Sequence, residues 1–179
     1  MIDTTRTVSF PGLSETLKAD ADAGAAQVFV EVGYRAEMGR VAVEPYAGLA
    51  YVRIATEGFA ETGGAAALTS DSTSFDSTTS TLGLHAATDF NLGEAKATLR
   101  GGLGWRHAYG DVEPSSLVSF AGGDSFTVHG APIARDALLL AAGFDVAISP
   151  RTSIGMAYTG QIGNSARDHG ARATLAVKF

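Results

Sequence analysis

The sequence predicts an all-β fold, an antiparallel up-and-down transmembrane β-barrel with about eight strands present in the chain. Three observations carry that prediction. Residue character alternates with period two along stretch after stretch, short and long connections alternate between the stretches, and the composition is apolar and glycine-rich yet poor in charge. Of 179 residues, 45% are hydrophobic, 18% are charged and 22 are glycine. Soluble domains carry about 25% charge and about 7% glycine. The longest nearly apolar stretch, residues 137–144, is far shorter than the roughly 18 residues of a spanning helix. This chain can cross a membrane only with strands.

The elements follow in order. Residues 4–10 read as the end of a strand. In residues 26–34, Val28, Val30, Val32 and Tyr34 alternate with Gln27, Phe29, Glu31 and Gly33, with Arg35 continuing the second set. A helix, with its period of 3.6, would mix the two sets. Residues 41–55 are less regular: Val43, Leu49 and Tyr51 share a face, but Val52 and Ile54 fall opposite. Pro45 has no N–H for a ladder, so a bulge is expected there. Residues 79–90 put Leu82, Leu84, Ala86 and Phe90 against Thr81, Gly83, His85, Ala87 and Asp89. Residues 94–109 put Ala97, Leu99, Leu103, Trp105, His107 and Tyr109 against Lys96, Thr98, Arg100, Gly102, Gly104 and Arg106. Residues 136–149, 152–163 and 168–179 repeat the pattern, the last with His169, Ala171, Ala173, Leu175, Val177 and Phe179 on one face.

The connections fall into two classes. Residues 37–39, 91–93 and 149–151 are tight turns, while 11–25, 56–78 and 110–135 are long and rich in Gly, Ser, Thr and Asp. In a meander the tight turns then share one end and the long loops the other, the asymmetry of membrane barrels. A last short connection spans residues 163–166.

The two faces differ in a telling way. Beside the apolar face runs one of Gly, Ala, Ser and Thr punctuated by Glu31, Arg35, Glu44, Asp89, Lys96, Arg100, Arg106, Asp145, Arg172 and Lys178. Small residues with isolated charges suit a narrow polar lumen, with opposing charges paired across it. The other face then meets lipid. Leu99, Leu103, Leu138, Leu140, Phe144, Val146, Ile154, Met156, Leu175 and Val177 are expected to be exposed. Tyr34, Phe90, Trp105, Tyr109, Tyr158 and Phe179 are expected to form an interfacial girdle. A soluble sandwich or ligand-binding β-barrel is the competing reading.

Several chemistries fall away. The net charge of −6 argues against nucleic acid, and the absence of cysteine removes disulfides, thiolate zinc sites and thiol nucleophiles. His85, His107, His129 and His169 have no partner at metal or triad spacing. Gly101-Gly102-Leu103-Gly104 lacks the Lys-Ser/Thr of a phosphate loop, and Gly122-Gly123-Asp124 occurs once and reads as a turn. No Gly-x-Ser-x-Gly elbow occurs. No enzyme, metal or cofactor is expected. The opening Met1-Ile2-Asp3-Thr4-Thr5-Arg6 is not a signal peptide.

The terminal strand with Leu175, Val177 and Phe179 at alternate places resembles the C-terminal assembly signal of Gram-negative outer-membrane barrels. Further blocks are Arg6 to Gly12 (RTVSFPG), Glu31 to Arg35 after Ala26-Gln27, and Glu44-Pro45-Tyr46-Ala47. Gly101 to His107 (GGLGWRH), Gly110-Asp111-Val112 and Phe120 to Gly123 (FAGG) follow, then Pro132 to Asp136 (PIARD) and Arg167-Asp168-His169. In this order they make residues 1–179 similar to the C-terminal part of an autotransporter (type V secretion) β-domain. The resemblance implies an outer-membrane translocator that anchors and helps export an upstream passenger. It also implies lipid, a linker helix and the barrel assembly machinery as partners. Family barrels have about twelve strands after a pore-threading helix; counted back from Phe179, this chain supplies seven and part of an eighth. The linker helix and first strands are therefore expected to be absent from it. A small eight-stranded structural barrel without transport activity is the alternative.

Overall fold

The computed structural model describes residues 2–120 and 122–178. Its strands are β1 (Ile2–Phe10), β2 (Leu13–Ala21), β3 (Ala23–Gly33), β4 (Ala36–Met38), β5 (Val41–Thr56), β6 (Phe59–Ala60) and β7 (Leu68–Ser70). They continue with β8 (Thr73–Leu92), β9 (Ala95–Tyr109), β10 (Ser115–Phe120), β11 (Ser125–His129), β12 (Asp136–Ser149), β13 (Thr152–Gly163) and β14 (Arg167–Val177). The chain divides into two compact units, one of Met1–Val28, Tyr51–Ser77 and Gly110–Pro132, the other of Phe29–Ala50, Thr78–Tyr109 and Ile133–Phe179.

The large antiparallel sheet runs β14-β13-β12-β9-β8-β5-β3, with β4 also on β5. Consecutive long strands are neighbours, as a meander requires. Its registers are long and regular. Leu84, Leu103 and Leu140 lie on one rung, and Ala142 stands opposite Gly101 and Tyr158. At the tight connections, Gly39 and Gly93 have φ of +68° and +65°, which side-chain-bearing residues avoid.

Up to Pro45, the register of β5 with β4 runs without the bulge expected in residues 41–55. Ala36, Glu37 and Met38 pair with Val43, Ala42 and Val41, and Tyr34 N–H reaches the Pro45 carbonyl at 3.1 Å in the same register. Pro45 has no N–H to return, so the ladder lapses opposite it and β3 and β4 are separate segments of one path. That path and the six other long strands make seven.

The face that is apolar in sequence is largely exposed. Leu99, Leu103, Leu138, Ile154, Met156, Leu175 and Val177 are exposed, Met156 by 65%. Leu140, Phe144 and Val146 are half-buried against their own neighbours. Phe90 and Phe144, with ring centroids 6.3 Å apart, flank Ala97, which retains 1% exposure. Ala97 lies on the rung of Phe90 and Val146, and its small side chain lets the larger ones meet over it. Such burial is local packing on a sheet face.

The girdle is less uniform than expected. Tyr109 ends β9 and Phe90 lies near the end of β8. Tyr158 instead stands mid-strand, opposite Ala142 and Ala171. Phe179 lies outside the described residues.

The other unit corrects two expectations. Residues 4–10 do not join the large sheet: β1 pairs with β2 in a hairpin from Ile2↔Ala21 to Phe10↔Leu13. The reason is local. Pro11-Gly12 makes a tight turn, with Gly12 at φ +93°, where a long loop was expected to start. The segments read as long loops are also partly ordered, since β11-β10-β7-β6 form a second antiparallel sheet. These strands span 2–6 residues each, too short for periodicity to register.

Candidate functional site: a charged face of the large sheet

Register fixes one set of residues on a common face. Gly102 stands opposite His85 and Ala141, and Thr159 stands opposite Ala141 and Gly170. Parity along these strands puts Asp89, Lys96, Arg100, Arg106, Asp145 and Arg172 on that same face, and Lys178 continues it beyond β14. On β3 to β5 the shared register brings Glu31 beside Gly48, and Gly33 beside Glu44, with Arg35 following. The face is concave. A cleft of about 340 Å³ is walled by Tyr46, His85, Gly102, Leu139, Thr159 and Asp168, drawn from six strands. A second, of about 410 Å³, includes Arg35, Glu44 and Arg100.

Small residues make room for the long ones. Arg100 faces Ala87 and Gly143 across its rung, Arg106 faces Thr81 and Ala137, and Arg172 faces Ala157. Arg100 Nη1 reaches Asp145 Oδ2 at 2.8 Å. Both side chains are well exposed, 60% and 42%, so water screens this pair. Asp89 accepts from Thr98 Oγ1 at 2.7 Å, and Arg106 donates to Gln161.

Among the described residues, Arg100–Asp145 is the ion pair formed between two of the ten expected charges. Among the described residues no second ion pair joins two of these ten charges. Glu31 and Arg35 belong to one edge of the sheet and Arg172 and Lys178 to the other. The backbone N–H of Lys178 donates to the Arg151 carbonyl, in the turn between β12 and β13, at 2.8 Å.

Sequence reasoning missed the aromatic centre of this face. Tyr46 stacks on His85 with centroids 4.3 Å apart and planes within 16°. Its ring occupies the space beside Gly83, where an added Cβ would come within 2.5 Å of ring carbons. Leu139, Gln161 and Asp168 complete the wall. On the opposite face, His107, which has no partner at metal or triad spacing in the sequence, finds one across the sheet. Its Nδ1 lies 2.8 Å from Asp136 Oδ1, which also accepts from Trp105 Nε1 at 3.1 Å. His169 Nδ1 likewise meets Tyr158 Oη at 2.7 Å. Aromatic and polar groups with satisfied hydrogen bonds suit a membrane-facing wall.

Comparison with known proteins agrees with this geometry. Residues 1–159 match the family described as "Autotransporter beta-domain". Two curated proteins, each named "Extracellular serine protease" from Serratia marcescens, are 38% identical over 179 residues. The match takes in 99% of this chain and 17% of each relative, so the chain spans about a sixth of their length. The chain therefore belongs to the autotransporter β-domain family and is an outer-membrane translocator domain of the Gram-negative type.

Proposed function

We propose that the concave face is part of the wall of a hydrated pore, along which an upstream passenger and its linker helix pass or pack during export. The observation that carries this is the segregation of charge. Ten charged side chains share the face with Gly, Ala and Thr, while the opposite face carries exposed Leu, Ile, Val and Met. In lipid, charge of that kind at bilayer depth would be costly; in a water-filled lumen it hydrates the path.

Within the described residues β3 and β14 each have one neighbour in the large sheet. We read both edges as paired in the membrane by further strands of the same β-domain. An unpaired edge in hydrocarbon leaves backbone N–H and C=O groups unsatisfied. The alternating terminal residues Leu175, Val177 and Phe179 serve, in this reading, as the signal engaged by the barrel assembly machinery. In this reading any secreted activity belongs to the passenger and the β-domain carries none; the Serratia relatives named extracellular serine protease are about six times the length of this chain.

Site-specific photocrosslinking during secretion tests the pore reading. A photoreactive residue in place of Arg100 in the full-length protein should crosslink to passenger polypeptide in transit. One in place of Leu103 should crosslink to lipid. Passenger adducts from Leu103 and none from Arg100 would overturn the assignment of faces.

A further inference from the structure

The loop between β6 and β7 is built like an anion receptor, and its occupant is already in place. Glu61 and Leu68 close it, with Glu61 N–H donating to the Leu68 carbonyl at 2.8 Å. Inside the loop, two successive backbone N–H groups, of Ala65 and Ala66, point at one carboxylate. They donate to Glu15 Oε1 and Oε2 of β2, at 2.9 Å each. Successive N–H groups aimed at one point form a concavity for anions. An added Cβ on Gly64 would overlap the Glu15 carboxylate, and one on Gly63, at φ +117°, would overlap the Thr16 carbonyl. Only this glycine pair lets the backbone approach so closely.

A second carboxylate secures the frame. Glu61, with 7% of its side chain exposed, accepts Arg6 Nε at 2.9 Å, Arg6 Nη2 at 2.5 Å and Leu68 N–H at 2.9 Å. Arg6 Nη2 also reaches the Ala66 carbonyl at 2.7 Å, and Lys18 exchanges backbone hydrogen bonds with Thr62. The hairpin register puts Arg6, Glu15, Leu17 and Ala19 on one face, and Leu17 and Ala19 are buried.

We propose that residues 63–66 form a carboxylate-binding nest, and that Glu15, its resident ligand, clamps this loop over Leu17 as a strap that opens when the carboxylate is lost. The charged groups around Glu15 are Arg6 of β1 and Glu61 of the loop, on the hairpin face that carries it. Lys18 and Asp20 of β2 and Asp3 of β1 stand on the reverse face. Hydrogen bonds from Ala66 and Ala65 hold the Glu15 carboxyl below the ordinary carboxylate range, and Arg6 does the same for Glu61. Both carboxyls hold their protons less tightly in the closed strap than in an open one. Closure is therefore fully favoured above the ordinary Glu range, and it is lost as pH falls through the lowered values. Mild acid leaves the strap shut; strong acid opens it.

Hydrogen exchange on the detergent-solubilised full-length protein tests this, read on a peptide covering residues 61–68 and a reference peptide covering 137–149. Glu15→Ala should raise exchange of the first at least tenfold at neutral pH and leave the second unchanged. Added formate or acetate, free carboxylates that fit the vacated nest, should restore protection of the first. In the unaltered protein, with rates corrected for intrinsic pH dependence, protection of residues 61–68 should persist at pH 5 and be lost only on further acidification, below the ordinary carboxyl range. Exchange of 61–68 within twofold of the parent in Glu15→Ala, or no recovery with formate and acetate, overturns the proposal. Should Glu15→Ala loosen both peptides together, the pH series on the parent decides, and loss of protection of 61–68 that begins within or above the ordinary carboxyl range, or only together with the reference peptide, overturns it.

Discussion

Tyr46 and Gly83 fit together as ring and recess: the phenol of β5 lies against the β8 backbone at the one residue type that leaves space for it. Gly104 of β9 extends the recess, since a Cβ there would meet the Tyr46 hydroxyl at 2.8 Å. Sheet neighbours normally contact through side chains of similar reach, so a large ring over a glycine concentrates contact at one point of the wall. Replacing Gly83 by Ala forces the ring aside, at a cost of about 1–3 kcal/mol for overpacking. Urea unfolding in detergent should show that loss. Tyr46→Ala should lower the penalty of Gly83→Ala, because the clash then has no partner. Additive effects of the two changes would show that the contact is not what Gly83 provides.

The lipid-facing wall gives a sharper contrast. Leu103 lies mid-strand on the rung of Leu84 and Leu140, and its neighbour Gly102 faces the other way. Leu103→Arg should destabilise the membrane-inserted protein by about 2–4 kcal/mol, the cost of an arginine near the bilayer midplane. Thr98→Arg, on the charged face, should cost far less. Equal losses in reconstituted vesicles would mean that the two faces share one environment.

Arg100 and Asp145 form a good ion pair that should nevertheless matter little to stability. Both partners are open to water, and exposed pairs contribute roughly 0–1 kcal/mol. Arg100→Ala should therefore shift the unfolding midpoint only slightly, while changing the ion selectivity of the reconstituted pore. A large stability loss with unchanged selectivity would make this pair structural instead of part of the conduction path.

The β1–β2 hairpin contains two carboxyls in direct register, Asp3 and Asp20. A hydrogen bond with Asp20, and the like charge of that neighbour, raise the Asp3 pKa above its ordinary value. A raised carboxyl binds its proton more tightly in the folded hairpin than in the unfolded chain. The stabilisation is therefore complete at low pH and is lost as pH rises through the raised value. Asp3→Asn keeps a donor for Asp20 and removes the repulsion. At neutral pH it should slow hydrogen exchange of residues 2–21, and the difference from the parent should vanish in acid. Slower exchange at every pH would point to a cause other than the shared proton.

How much of this was legible in the sequence follows from the distance over which each feature is encoded. Alternation such as Leu99, Leu103, Trp105 against Arg100, Gly102, Arg106 is local, so the long strands could be read directly, except that the face of residues 41–55, where alternation lapses, could not. The split at Tyr34-Arg35 was also encoded locally, by Pro45, but on the strand opposite; the missing N–H was visible while its consequence for the partner was not. His107 and Asp136 are 29 residues apart. Only register brings them together, and no spacing rule along one strand could suggest it. Tyr46 over Gly83 is likewise a fact of two strands. Glu15 and Ala65 are further apart again, 50 residues, and join a short-stranded unit whose β6 and β7 carry too few residues to alternate.

Tyr158 poses the last question, since a phenol mid-strand on a lipid-facing wall is not at the headgroup level where such residues usually sit. Its ring folds over Gly160, where an added Cβ would meet the hydroxyl at 2.8 Å, and that hydroxyl reaches His169 Nδ1 at 2.7 Å. The bond gives each group a partner and ties β14 to β13 beside Gly160, which pairs with His169. Removing one partner strands the other: His169→Ala leaves the hydroxyl, and Tyr158→Phe leaves a ring nitrogen, each at about 1–3 kcal/mol. Removing both restores balance, because an apolar pair makes no unmet demand in hydrocarbon. The double variant Tyr158→Phe with His169→Leu should therefore unfold closer to the parent than either Tyr158→Phe or His169→Ala, when measured in lipid. If the double variant is at least as unstable as the sum of its single changes, the pair is held by contacts other than this hydrogen bond.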